Sequence, residues 1–168
     1  MRAFHGTTPE NKVNILKEGF RFDTVLQQGK LFGDAIYFTT RRERAMDFGI
    51  AIIEVEINTN NFMFICNKVE YDDFFNKFVQ EALHPFRSIE EYIFDKFITT
   101  NKHSEDLPSN ELEKVVGPMI KDAEYRVGTA LRRHIVSRSY NGLALLMGDA
   151  YIGYYELSVY DGEAIKIL

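Results

Sequence analysis

Three residues far apart in the chain, His5, Tyr37 and Glu156, have the types and settings that chemistry at a bound ligand requires. His5 stands in Phe4-His5-Gly6-Thr7, at the end of a strand-like run and just ahead of a helix start. Its imidazole can donate or accept a hydrogen bond, and the glycine beside it lets a ligand approach the backbone closely. An isolated histidine at a strand end is more often a structural or surface residue. Tyr37 lies in Gly33-Asp34-Ala35-Ile36-Tyr37-Phe38-Thr39-Thr40, on a strand that follows a glycine loop. A strand tyrosine commonly serves cross-strand packing, yet the loop before it suggests a backbone shaped around something. Glu156 lies in Tyr154-Tyr155-Glu156-Leu157-Ser158-Val159-Tyr160. Two-residue alternation sets Tyr154, Glu156, Ser158 and Tyr160 on one face and Leu157 and Val159 on the other. That face reads either as polar surface or as the wall of a cleft lined by tyrosines.

A second cluster is basic. Arg126, Arg132, Arg133, His134 and Arg138 fall in one stretch that holds no acidic residue. The plain reading is a solvated helix face; the functional one is a patch for a phosphate backbone or an acidic protein surface. Cys66 is the only cysteine, so no intramolecular disulfide and no zinc-type cysteine cluster can form. Its flank, Phe62-Met63-Phe64-Ile65, reads as a buried strand, which makes Cys66 an inert core residue. A reducing compartment is permitted.

The elements that must position these residues divide into two mixed ends around a helical middle. After the short strand at 2–5, Thr8-Pro9-Glu10 is a helix start with an N-cap hydroxyl, a proline at the first position and an acid in the first turn. Val13, Leu16 and Phe20 follow at helical spacing, and Gly19 is a natural C-cap. Residues 23–34 read as a loop, Ala35–Thr39 as a strand and Arg41–Phe48 as a short helix. Ala51–Ile57 reads as a strand with Ala51, Ile53, Val55 and Ile57 on one face. In the middle, Phe74, Phe75, Phe78, Val79 and Leu83 form one apolar helical stripe, and Ile89, Ile93, Phe94 and Phe97 another; both are expected to face the core. A polar break at Asn101–Ser109 precedes a third helical stretch from about Asn110. Strands return at Leu143–Met147, Tyr154–Tyr160 and Ala164–Leu168. This order predicts a single α+β domain over 1–168 with a helical insertion at about 68–137.

Length and composition agree with one globular domain. The chain has 168 residues, 45% hydrophobic and 27% charged, enough to bury a core without a disulfide or a structural metal. A net charge of −5 supplies no global pull toward nucleic acid or anionic membrane. No apolar run approaches the ~20 residues that span a bilayer, and the start lacks a signal peptide's apolar core. A cytoplasmic protein is expected, or one delivered to a cytosol.

Together these segments resemble the ADP-ribosyltransferases of the diphtheria-toxin and poly(ADP-ribose) polymerase class. Phe-His-Gly-Thr-Thr, with a helix and Glu-Gly-Phe-Arg after it, resembles the opening of that family. Leu-Phe-Gly-Asp-Ala-Ile-Tyr-Phe-Thr-Thr resembles its second motif, and Tyr-Glu-Leu-Ser-Val-Tyr-Asp its third. The likeness covers about 2–57 and 139–168. It implies an α+β fold of the ADP-ribosyltransferase type, with a split, mostly antiparallel sheet, flanking helices and an all-helical insertion.

The same resemblance implies that NAD is the ADP-ribose donor, with no metal. His5 would hydrogen-bond the adenosine ribose, and the Gly6-Thr7 segment would grip the nicotinamide amide through the Gly6 backbone. Tyr37 would stack on the nicotinamide ring, Phe48 would close its other face, and Arg21 would approach the adenine end. Glu156 would contact the 2′-hydroxyl of the nicotinamide ribose, with Glu163 the nearest rival carboxylate. The chemistry suits these types, because leaving-group departure passes through an oxocarbenium-like state that a carboxylate stabilises. One departure stands out: where polymerase-like members have a serine that binds the nicotinamide amide, this chain has Arg44-Ala45.

The implied activity is mono-ADP-ribosyl transfer from NAD to a macromolecular acceptor, protein or nucleic acid. Arg126, Arg132, Arg133 and Arg138 are the candidate acceptor patch. A compact transferase of this kind would suit a toxin, a defence factor or a phage effector, with an antitoxin or inhibitor as partner. The alternatives are an NAD glycohydrolase and a non-catalytic NAD- or ADP-ribose-binding module.

Overall fold

A computed structural model describes residues 1–22, 31–100, 109–148 and 153–168. It divides into two compact units, one formed by Met1–Leu26, Ala35–Tyr71 and His134–Leu168, the other by Gln27–Asp34 and Asp72–Arg133.

The first unit is built on a sheet. Its strands are β1 (Arg2–Thr7), β2 (Ile36–Thr39), β3 (Ala51–Ile57), β4 (Phe62–Ile65), β5 (Gly142–Met147), β6 (Tyr154–Val159) and β7 (Ile165–Ile167). The spatial order is β4-β5-β6-β2-β1-β3-β7. All neighbours are antiparallel except β4 and β5, as expected of a mostly antiparallel α+β fold. β1 runs in register with β3 from Arg2↔Glu56 to Thr7↔Ala51, and β2 with β6 from Ile36↔Val159 to Thr39↔Glu156. Between β1 and β2 the register is Phe4↔Thr39 alone. Past Phe4 the ladder opens, so the sheet is split into a β4-β5-β6-β2 half and a β1-β3-β7 half.

Alternation along the strands puts one set of side chains into the core. Ala3, Ile36, Phe38, Val55, Leu157 and Val159 are buried together on one face of the sheet. Each large side chain among them contributes roughly 1.5–3 kcal/mol of burial. The helix α1 (Pro9–Glu18) covers that face. It starts at Thr8, whose hydroxyl accepts from the Asn11 amide, and it ends at Gly19. Ile15 of α1, with Phe20 just beyond it, packs on the core, whereas Val13 and Leu16, which share its helical spacing, are exposed. A second short helix, α2 (Arg42–Ala45), follows β2 and is followed by a turn, so the helix expected to reach Phe48 is shorter.

Cys66 corrects an expectation. It is exposed rather than an inert core residue, because it lies one residue past the end of β4, which is an edge strand. Its amide N–H donates to the Glu70 carboxylate at 3.2 Å.

Most of the remaining chain is helical: α3 (Lys68–Leu83), α4 (Ile89–Thr100) and α5 (Ser109–Ser137). Phe78, Val79 and Leu83 of the α3 stripe are buried, as expected. In α4 the expected stripe departs at one residue, while Ile89, Ile93 and Phe97 are half-buried. Phe94 is 67% exposed and Tyr92 is the buried residue. Specific bonding holds Tyr92: its hydroxyl donates to Asp122 and its ring packs edge-on against Phe86 at 5.5 Å. Asp122 also accepts from Arg126 at 3.0 Å. The loop expected at 23–34 is described only from 31, and 101–108 of the polar break lie outside the described residues. At Gly33 the backbone has φ 78°, and an added Cβ would lie 2.6 Å from the Gly128 carbonyl oxygen. This glycine is therefore shaped around a turn of α5.

Candidate active site

The split sheet makes neighbours of the strands that carry His5, Tyr37 and Glu156, since β6, β2 and β1 are adjacent. In an antiparallel pair, residues directly opposite one another project to the same side. Thr39 pairs with Glu156 and Tyr37 with Ser158, so Tyr37 and Glu156 share a face and are diagonal neighbours on it. Ser158 and Tyr160 on that face are buried, and the Glu156 side chain is 30% exposed. The face is thus a partly covered wall and not open surface. Glu163 lies elsewhere: it is exposed, in the 3-10 turn Gly162–Ala164 that leads into the edge strand β7.

His5 joins this group by a different route. Alternation turns its side chain to the core face, where its ring meets Phe20 edge-on at 5.2 Å and Phe38 at 5.6 Å. His5 Nδ1 is 2.8 Å from the Tyr37 carbonyl oxygen, bridging the opening between β1 and β2. A carbonyl only accepts, so Nδ1 carries the proton and Nε2 keeps its lone pair. Burial pushes the His5 pKa below its ordinary 6.5, against a smaller upward pull from that hydrogen bond. The ring is accordingly neutral at pH 7.

The glycine after His5 is required by the fold itself. A Cβ on Gly6 would lie 1.7 Å from the Ala45 carbonyl oxygen, and one on Gly49 would lie 2.2 Å from the Thr7 carbonyl oxygen. β1 and the turn after α2 interlock through these contacts, so the close approach foreseen for a ligand is made by the chain's own backbone. Thr7 is buried at the end of β1. Arg21 is half-exposed and pairs with Glu18 at 3.7 Å. Phe48 is 68% exposed on the turn after α2. Its ring is solvent-facing.

The basic stretch does not present one face. Arg126 and Arg133, seven residues apart, share a stripe of α5, and Arg132 is turned about 100° from Arg133. Arg126 is engaged by Asp122, and Arg138 beyond the helix end donates to His134 Nδ1 at 2.9 Å. Among the described residues, no group of three or more His, Cys, Asp or Glu side chains gathers as metal ligands would.

A residue noted in the sequence only for the serine it displaces stands against the catalytic candidate. Arg44 Nη2 is 3.6 Å from Glu156 Oε1, and its guanidinium lies 5.9 Å from the Tyr154 ring centroid. Arg41 reaches the same ring at 5.9 Å. The Tyr154 hydroxyl first, then Asp47 and Glu156, hold Arg44 still more firmly protonated than usual, against a lowering by burial. The one sequence signal for this was the density of Arg41-Arg42-Glu43-Arg44 in an acidic chain.

No helix among the described residues is long and apolar enough to cross a membrane. Neither the curated proteins nor the solved structures contain a significant match to the chain. The family model for the poly(ADP-ribose) polymerase catalytic domain matches residues 1–82, a span that holds the His5 and Tyr37 motifs. This match, with the split sheet and the strand order that sets Glu156 beside Tyr37, makes residues 1–82 of the chain similar to the poly(ADP-ribose) polymerase catalytic domain.

Proposed function

We propose that the protein is a mono-ADP-ribosyltransferase that moves ADP-ribose from NAD to a macromolecular acceptor, with the whole chain acting as one catalytic domain bearing a helical insertion. The observation that supports this most is the pairing Thr39↔Glu156 and Tyr37↔Ser158, which puts a carboxylate and an aromatic ring side by side at the split of the sheet. Tyr37 would hold the flat nicotinamide ring, with Phe48 closing on its other side. Glu156 would hold the 2′-hydroxyl of the nicotinamide ribose and stabilise positive charge developing on that sugar. His5, neutral and with Nε2 free to accept, would take a hydroxyl of the adenosine ribose. In the transfer, the acceptor atom bonds to C1′ as the C1′–nicotinamide bond breaks. Nicotinamide leaves neutral with the bonding pair, and the acceptor's proton passes to solvent.

A second reading, NAD glycohydrolase, draws support from the partial exposure of Glu156, which leaves water a path to the same carbon. Incubation with NAD labelled in its ADP-ribose part and a cell lysate, followed by protease or nuclease, separates the readings. Macromolecular label that one of the two enzymes releases supports transfer and identifies the acceptor class. Free ADP-ribose without label supports hydrolysis. Well-folded protein that neither labels nor consumes NAD would sink both.

A further inference from the structure

We infer that Arg41 and Arg44 form a phosphate subsite around Tyr154, one guanidinium away from Glu156. The inference deepens the proposed transferase reading and, for the source of the phosphate, rests on it. Thr40 N donates to the Tyr155 carbonyl at 2.9 Å and Tyr155 N donates to Thr40 Oγ1 at 2.8 Å. These bonds extend the β2–β6 ladder by one step and bring the start of β6 against the residues that lead into α2. Both guanidiniums consequently converge on one ring, each 5.9 Å from its centroid.

Two guanidiniums that face one ring can both donate to a single anion seated beside it. The anions already present do not complete the job. Arg41 meets only the exposed Glu43, at 3.8 Å, among the described residues. Arg44 pairs through Nη1 with Asp47 and lies 3.6 Å from Glu156, longer than a hydrogen bond. Arg44 Nε is buried and has no hydrogen-bond partner among the described residues. A buried, unsatisfied donor on a charged group is costly. Planar guanidiniums suit phosphate oxygens, to which they donate in pairs, and a phosphate seated here would engage Arg41 and Arg44 together. The chemistry is that of a phosphate or diphosphate. It is met by the diphosphate of the nucleotide donor or by a phosphate on the acceptor.

The test is equilibrium binding of inorganic pyrophosphate to the full chain, compared among the wild type, Arg41→Gln, Arg44→Gln and Arg44→Lys. Lys166→Gln on the edge strand β7 serves as a control that loses the same charge. The subsite predicts binding to the wild type, a loss of about tenfold to a hundredfold in each glutamine variant, partial recovery with Arg44→Lys, and no change in the control. No binding to the wild type, equal binding by the glutamine variants, or an equal loss in Lys166→Gln would overturn it. NAD and nicotinamide then assign the source. If NAD binding falls with pyrophosphate binding while nicotinamide binding holds, the subsite takes the donor's diphosphate. If NAD binding holds, it takes an acceptor phosphate. Pyrophosphate binding with no NAD binding would leave the subsite standing and remove the transferase reading.

Discussion

Glu156 and Leu157 are neighbours in the chain and lie on opposite faces of the same strand, and the two faces differ in how completely they are closed. On Leu157's side, Ala3, Phe38, Val55 and Val159 are buried beneath Ile15 and Phe20. On Glu156's side, Ser158 is buried while Tyr37 and Tyr154 stay partly exposed and two arginines crowd the edge. The closed face supplies the stability that lets the open face keep unsatisfied groups, such as the Arg44 Nε. His5 is the link between them, with its ring in the aromatic core and its Nδ1–H donating to the Tyr37 carbonyl.

The sharpest way to break this contrast is substitution at the two adjacent positions. Leu157→Ala should cost roughly 2–5 kcal/mol of stability, read from the midpoint of denaturant unfolding, because the side chain is fully buried. Glu156→Gln should leave that midpoint in place and lower kcat for NAD turnover by about 10²–10³, on the order of 2.7–4 kcal/mol, with little change in NAD affinity. A Glu156→Gln protein that turns over NAD normally would mean that the open face does no chemistry. Gly6→Ala tests the interlock between β1 and the turn after α2. With a Cβ 1.7 Å from the Ala45 carbonyl oxygen, it should destabilise by roughly 1–3 kcal/mol, and thermal melts would show it.

The smallest effect concerns His5. Its pKa is lowered in the fold, so between the ordinary value of 6.5 and the folded value the unfolded chain binds a proton that the folded chain does not. Stability should therefore be full above pH 6.5 and fall as pH drops below it. Melting curves of the wild type and His5→Gln across that range check the sign: the variant should lose this part of the acid-side slope. An unchanged slope would show that the ring titrates freely.

Much of this arrangement was legible in the residues. The helix signals Thr8-Pro9 and Gly19, the alternation in Ala51–Ile57 and the strand around Glu156 correspond to elements with closely similar bounds. These rest on local rules of capping and periodicity. Cys66 and Phe94 depart from expectation for a shared reason: apolar flanks show that a segment buries one side, but not whether it lies at a sheet edge or which side a partner occupies. Tyr92 carries no local signal of its burial, because its place depends on Asp122, thirty positions along the chain.

The sequence by itself determined most secondary elements, the two-sided alternation of the strands at 51–57 and 154–160, and the motifs that point to NAD. Only the tertiary structure decided that β6 lies beside β2, that Glu156 and not Glu163 shares a face with Tyr37, and that His5 approaches from the other face. It alone placed Arg44 on Glu156. Local order follows from bonds a few residues long, whereas strand neighbours and registers are set by pairing between distant segments, which no window of sequence contains.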